Sequence, residues 1–152
     1  MLMIRPAIAD DSNDILAWRN DEYSRSMSID TAIVRDIDHH KWFLSSLNNP
    51  LRLLLIGVIE NSKVGICRFD FDTEKNQSII SINLNPSKRG QGLGIELLKS
   101  SIAEYRKKNN FDLAAVIKKD NIASIKCFLK CDFKLSHNDD IYNYYTLERH
   151  EK

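Results

Sequence analysis

The sequence predicts an α/β domain: a mixed, mostly antiparallel central sheet flanked by helices, in the order β-α-α-β-β-β-α-β-α-β-β. Three observations carry this expectation. Strand-length apolar runs follow one another from Leu51 to Leu84 with only turn-like segments between them. A glycine-punctuated loop then opens an amphipathic helix at Ile95, Leu97, Leu98, Ile102 and Tyr105. A strand, a helix and a closing hairpin complete the chain, so one parallel β-α-β portion sits inside an otherwise antiparallel arrangement.

Taken in order, Met1 to Ile8 alternates loosely and reads as the first strand. "DDSNDILAWRND" supplies Asp and Ser as N-cap candidates and Ile15, Leu16 and Trp18 as apolar anchors of a short helix ending near Asn20. "DEYSRSMSIDTAIVRD" has weak periodicity and reads mainly as loop. "DIDHHKWFLSSLNN" places Ile37, Trp42, Phe43, Leu44 and Leu47 on one helical face, stopped by Asn48-Asn49-Pro50. Leu51 to Ile59, Val64 to Phe71 and Ser78 to Leu84 follow as a meander, with "ENSK" as the first turn. The helix after the glycines ends around Asn109-Asn110. "FDLAAVIKK" is continuously apolar, as expected of a strand covered on both faces. "DNIASIKCFLKC" is a helix with Asp120 or Asn121 as N-cap, and "DFKLSH" and "IYNYYTLER" form the last hairpin.

The 152 residues suit one domain spanning 1–152, and an apolar share of 43% supports one packed core. Lys and Arg total 22 against 21 Asp and Glu, which offers no electrostatic footprint for nucleic acid. The N-terminus lacks a signal-like apolar core, and no run approaches the about 20 residues of a membrane span. A cytoplasmic protein without membrane or nucleic-acid partners is the expectation. Cys67, Cys127 and Cys131 show no disulfide spacing and no neighbouring His to complete a metal site, so they read as core or surface thiols.

"NPSKRGQGLGIELLKSSI" concentrates Gly90, Gly92 and Gly94, three of the five glycines, just before a helix and beside Lys88 and Arg89. A helix N-terminus offers unpaired N–H groups and partial positive charge, and glycines let the backbone approach an anion. Together these make a phosphate site. The pattern is neither a Walker loop nor a dinucleotide fingerprint.

"RGQGLG" resembles the Arg/Gln-x-x-Gly-x-Gly/Ala pyrophosphate loop of the GNAT superfamily of acyl-CoA N-acetyltransferases. "DNIASIKCFLKCDF" resembles that superfamily's Asn-x-x-Ser segment, and the element order matches over the whole chain. The resemblance implies the GNAT fold, with acetyl-CoA as co-substrate and no metal. By it, the backbone amides of Arg89, Gly90, Gln91, Gly92, Leu93 and Gly94 hold the pyrophosphate. Leu84 and its neighbours hold the pantetheine arm, and Asn121 and Ser124 contact the far part of the cofactor. The thioester would lie where two parallel strands splay apart.

Acyl transfer to an amine needs a deprotonated amine, oxyanion stabilisation and a proton for the leaving thiolate. By the resemblance, a backbone N–H near Leu84 serves the oxyanion. The chain departs from the pattern elsewhere. Phe128 stands where relatives often carry a Tyr acid, Asp132 replaces a Gly, and Ile79 to Asn83 holds no carboxylate. His39, His40 and Tyr144 are the candidates for proton transfer, Ser81 and Asn83 could order a water, and approximation supplies much of the rate.

"AWRNDEYSRSM" with "HHKWFLSSL" further resembles the group that acetylates UDP-linked 4-amino sugars in pseudaminic-acid biosynthesis, and more loosely the ribosomal-protein N-terminal acetyltransferases. That resemblance implies acceptor contacts from Arg19, Asn20, Arg25, Met27 and Trp42, with Arg19 or Arg25 pairing with nucleotide phosphate. Core packing is the alternative role for Trp18 and Trp42. The expected acceptor is a small-molecule amine, first a nucleotide sugar. A peptide N-terminus and a non-catalytic acyl-CoA-binding module are the alternatives, as monomer or homodimer.

Overall fold

A computed structural model of the chain describes residues 1–150. The strands are β1 (Met3–Pro6), β2 (Arg52–Ile59), β3 (Ser62–Asp72), β4 (Gln77–Leu84), β5 (Asp112–Lys118), β6 (Lys134–Asn138) and β7 (Tyr142–Leu147). The helices are α1 (Ser12–Asn20), α2 (Glu22–Met27), α3 (Asp36–Leu47), α4 (Leu93–Arg106) and α5 (Ile122–Lys130). The strands form one sheet in the order β1-β2-β3-β4-β5-β7-β6. Glu60 and Asn61 join β2 to β3 with φ of 48° and 64°, the left-handed pair that a twisted two-residue hairpin requires.

Every neighbouring pair is antiparallel except β4–β5. That parallel pairing covers only Gln77–Asp112, Ser78–Leu113 and Ile79–Ala114. Beyond Ile79 the two strands part, while β4 stays paired to β3 as far as Leu84–Gly65. A gap therefore opens in the middle of the sheet along Ile80 to Leu84.

One face of the sheet is sealed by α4 and α5. Leu98, Phe128 and Phe133 pack there on Phe69, Ile80 and Leu113. The other face carries α1 and α3 over β2 and β3, with Trp18 and Phe43 on Leu54, Ile56 and Ile66. Trp18 is a core residue, 5% exposed.

Sequence and structure differ at several places, among them α3, where Ile37 and Leu44 of the expected apolar face are exposed, and the first turn, which is only Glu60–Asn61 because Ser62 and Lys63 already belong to β3. Residues 22–27, expected as loop, form α2. Its periodicity is too short to read, but Asp21 caps it by accepting a hydrogen bond from Ser24 N–H at 3.1 Å. The first strand is shorter than Met1–Ile8, since Ile8 already leads into a 3-10 turn at Ala9–Asp11. α4 ends at Arg106, where Lys107 N–H turns back to Glu104 O at 3.3 Å, before Asn109 is reached. β5 is not covered on both faces. Leu113, Ala115 and Ile117 are buried in the core under α4 and α5, but Ala114, Val116 and Lys118 on the other face are half-exposed.

Candidate functional site

The glycine loop runs from the end of β4 into α4. Asn85 caps a 3-10 turn at Pro86–Lys88, accepting from Ser87 N–H at 3.1 Å. Gly90 and Gly92 then take φ of 75° and 74°. A side chain there would meet nothing within 4 Å, so the requirement for glycine is conformational and the space beside both residues is open. Gly92 is the N-cap of α4 and supplies no side-chain cap. Within the described residues no acceptor is bonded to the amides of Gly90, Gln91, Gly92, Leu93 or Gly94. The helix start thus presents bare donors and the positive end of its dipole to open space.

Gly94 has a different reason. A Cβ there would stand 3.0 Å from Cys127 Sγ and 3.6 Å from Leu84 Cδ1. The missing side chain lets α5 lie against the first turn of α4. Asn121 caps α5, its Oδ1 accepting from Ser124 N–H at 3.2 Å. Both residues are half-buried at that helix start. Leu84 closes β4 at the mouth of the gap.

Arg89 lies differently from the expected mobile cation. Its N–H bends back toward Pro86 O at 3.4 Å and is not bare. Its guanidinium is not a mobile cation beside the loop. It forms an ion pair with Asp21, donates to Ser24 Oγ at 2.9 Å and lies 4.8 Å over the Tyr23 ring. The Arg89 hydrogen bond holds the Asp21 carboxyl below its ordinary range.

The expected acceptor residues also prove to be largely committed. Asn20 is bonded to Val34 in both directions, Nδ2 to O and N–H to Oδ1, each at 2.8 Å. Arg25 donates to Asn20 O at 3.1 Å and Thr31 O at 3.3 Å, and Arg19 donates to Asp30 O at 2.7 Å. These three side chains pin the segment 28–35 onto α1 and α2 and brace a roof. The Arg52 and Arg68 guanidinium groups, both paired with Asp70, each lie 5.5 Å from the Trp42 ring centre. Met27 is half-buried with no such commitment. Burial, with Arg25 and Arg68 nearby, lowers the Arg19 pKa, so this side of the sheet is rich in guanidinium.

The proton-transfer candidates do not converge. His39 is 3% exposed, stacks on Phe43 and donates from Nε2 to Ser12 O at 2.9 Å. Burial lowers its pKa, so it is a neutral core histidine. His40 is exposed, hydrogen-bonded at 2.9 Å to Ser12 Oγ, and lines a shallow recess with Ala9, Asp10 and Leu44 that includes no residue of β4 or β5. Tyr144 donates its hydroxyl to Asp139 at 2.9 Å, which raises its pKa, and stacks on His137. Phe128 is 1% exposed and packs edge-on against Phe133. Burial pushes the Cys67 thiol up to about 12 and Cys131 up to about 11, so neither is a nucleophile. Asn83 is the exception: it stands on the parted stretch of β4, and its Oδ1 accepts from Ser24 Oγ at 3.1 Å.

The Arg89 contacts, the Gly94–Cys127 packing and the reach of Lys118 Nζ to Ser26 O at 3.0 Å were not read from the sequence. The N-cap pattern Asp21-x-x-Ser24 was the one available signal for α2.

Residues 1–134 match the family described as acetyltransferase (GNAT) domain. The fold is similar to that of an N-acetyltransferase from Staphylococcus aureus Mu50, 25% identical over 97% of this chain and 98% of that one, with a TM-score of 0.82. It is similar to the ribosomal L7/L12 alpha-N-protein acetyltransferase RimL in complex with coenzyme A, 15% identical over 97% and 94% of the two chains, TM-score 0.83. It is also similar to the aminoglycoside acetyltransferase AAC(6')-Ib in complex with coenzyme A and kanamycin, 17% identical over 98% and 95%, TM-score 0.82. At their identities the last two are likenesses of fold alone. No protein of curated function matches the sequence.

Proposed function

The chain belongs to the GNAT acetyltransferase family and is an acetyl-CoA-dependent N-acetyltransferase; from that premise we propose which of its residues hold the co-substrate and what they do. The observation that carries the proposal is the run of bare amides from Gly90 to Gly94, continuous with the gap beside Ile80 to Leu84. A diphosphate fits this loop. It needs several donors and close approach to backbone: the unbonded amides supply the first, and the open space beside Gly90 and Gly92 allows the second.

Leu84 and its neighbours, with backbone groups turned to the gap, would hold the pantetheine arm as the missing partner of β4. Asn121 and Ser124, at the start of α5, would border its far end. Acetyl-CoA supplies the activated acyl group. An N–H of β4 facing the gap would stabilise the oxyanion that develops as the amine nitrogen attacks the thioester carbon and the C–S bond breaks. Asn83, half-exposed on the roof side of β4, would orient the acceptor. No carboxylate or free imidazole stands on the parted stretch of β4, so the ammonium proton would leave to solvent. The thiolate leaves without a phenol from Phe128, helped by the ready acidity of its own thiol. Approximation then carries much of the rate.

For the acceptor we propose a primary amine on an anionic small molecule, and first a UDP-linked 4-amino sugar. The Arg19 Nη1, buried without a hydrogen-bond partner among the described residues, supports an anionic group. A peptide N-terminus is the second reading, supported by the exposed Ile29 and Ile33 in the roof segment, which offer apolar contact to a side chain.

Calorimetric titration with acetyl-CoA, wild type beside Gln91→Glu, tests the cofactor reading. Gln91 is exposed and its backbone has ordinary φ, so the variant folds and only adds an anion to the loop. Binding should weaken at least about tenfold. No binding by wild type, or equal binding by both, refutes the reading. Thiol release with a UDP-linked 4-amino sugar or an alanine-initiated peptide then decides the acceptor.

A further inference from the structure

The first side chain of the glycine loop is turned toward the roof. Arg89 Nη2 reaches both the Asp21 carboxylate and Ser24 Oγ, and its guanidinium covers the Tyr23 ring. All three partners belong to α2 or its cap. Ser24 is buried and in turn donates from Oγ to Asn83 Oδ1 at 3.1 Å.

The direction of this chain follows from its first member. A guanidinium only donates. Ser24 Oγ therefore accepts from Arg89 and spends its own proton on Asn83 Oδ1. With that oxygen taken, the Asn83 amide is fixed with Nδ2 as its outward group. Nδ2 has no partner within the described residues and is not among the buried unpaired atoms, so it faces solvent on the parted stretch of β4. An amide N–H cannot take a proton from an ammonium ion. It can only donate to an oxygen beside the acceptor nitrogen or to a bound water.

We propose that Arg89 is a positioning residue for the acceptor side of the site and not a phosphate ligand. Through Ser24 it sets the Asn83 amide so that an N–H donor faces the acceptor, and it ties the cofactor loop to the α2 roof. This rests on the reading of the Gly90–Gly94 loop as the acetyl-CoA site. α2 keeps other tethers when Arg89 is lost. Lys118 Nζ holds Ser26 O at 3.0 Å, and Arg25 Nε holds Asn20 O at 3.1 Å. An Arg89 variant therefore remains folded.

The test uses Arg89→Gln, Arg89→Lys and Ser24→Ala, with two readouts. One is acetyl-CoA affinity by calorimetry. The other is the side-chain amide pair of Asn83 in the nitrogen–proton spectrum, identified by its disappearance in Asn83→Asp. The proposal expects affinity within about threefold of wild type in all three. It expects the Asn83 pair to move in Arg89→Gln and Ser24→Ala, and to return toward its wild-type position in Arg89→Lys, which restores a cationic donor. Loss of affinity by about tenfold or more in Arg89→Gln overturns it, whatever Asn83 does, because the guanidinium then serves the phosphates. An Asn83 pair unmoved in Arg89→Gln overturns it equally. Failure of the cofactor reading itself looks different: wild type would not bind acetyl-CoA at all.

Discussion

Replacing Gly92 with alanine separates the backbone requirement of the loop from any packing effect. Gly92 sits at φ 74° and ψ 6°, and an added Cβ would touch nothing within 4 Å. The whole cost is therefore conformational, about 1–2 kcal/mol for an L-residue held left-handed. Part is offset by the smaller unfolded-state entropy of alanine, about 0.4–1 kcal/mol. A net loss of about 1 kcal/mol remains, which for a chain of this size lowers Tm by about 2–4 °C. The same strain pushes the turn toward negative φ and swings the amides of Gly92 to Gly94 off their common direction, so acetyl-CoA affinity should fall with stability. Gly94→Ala is the contrast. Its φ is ordinary, and its Cβ would meet Cys127 Sγ at 3.0 Å. Its cost should be relieved by adding Cys127→Ala, whereas that of Gly92→Ala should not. Urea unfolding and calorimetry measure both. A Gly92→Ala protein as stable as wild type that binds acetyl-CoA equally well would refute the reasoning.

His39 is held neutral by burial, with its folded pKa below the ordinary 6.5. Its contribution is complete above about pH 6.5 and is lost as pH falls below that value, because the unfolded chain then binds the extra proton. Urea midpoints of wild type should fall between pH 7.5 and 5 more than those of His39→Gln. Asp11 is 1% exposed. Burial alone would raise its pKa, but hydrogen bonds from Arg5, Lys63 and Ile8 N–H hold it well below the usual carboxylate range. That stability is present above about pH 4 and lost as pH falls further. Asp11→Ala should cost about 2–4 kcal/mol at neutral pH by urea unfolding, since it leaves the Arg5 cation and the Ile8 N–H without their partner, while Lys63 keeps its pairing with Asp14. Phe128→Tyr should not raise thiol release, because the ring points into the core. It should lose about 1–3 kcal/mol of stability if its hydroxyl finds no partner there.

The order of strands and most helices was legible because each is long enough to show its period. Ile80 and Ile82 alternating against Ser81 and Asn83, or Leu97, Leu98, Ile102 and Tyr105 recurring along α4, are patterns that burial imposes on sequence. The glycine loop was legible because positive φ leaves a mark in residue type. α2 was not, since six residues make fewer than two turns and its stability comes from partners distant in the chain. The roles of the roof residues were hidden for the same reason. Arg19, Asn20 and Arg25 carry the residue types of a binding site, yet they spend donors on the backbone of residues 20, 30, 31 and 34. A sequence shows which groups can donate; only the fold shows which have already done so. Gly94 illustrates the converse. It completes the glycine pattern of the loop but is small for the sake of α5, a contact made across the helix interface and invisible along the chain.

The chain's five glycines make the central claim directly observable. Their backbone signals occupy a sparse region of the nitrogen–proton spectrum, and Gly90, Gly92 and Gly94 are three of them. On titration with acetyl-CoA, these three should shift and saturate together with the calorimetric binding curve. Gly57, on β2 and two strands from the gap, should shift least. If acetyl-CoA binds while the three loop glycines remain unmoved, the bare amides of α4 do not hold the diphosphate, and the site lies elsewhere on the sheet.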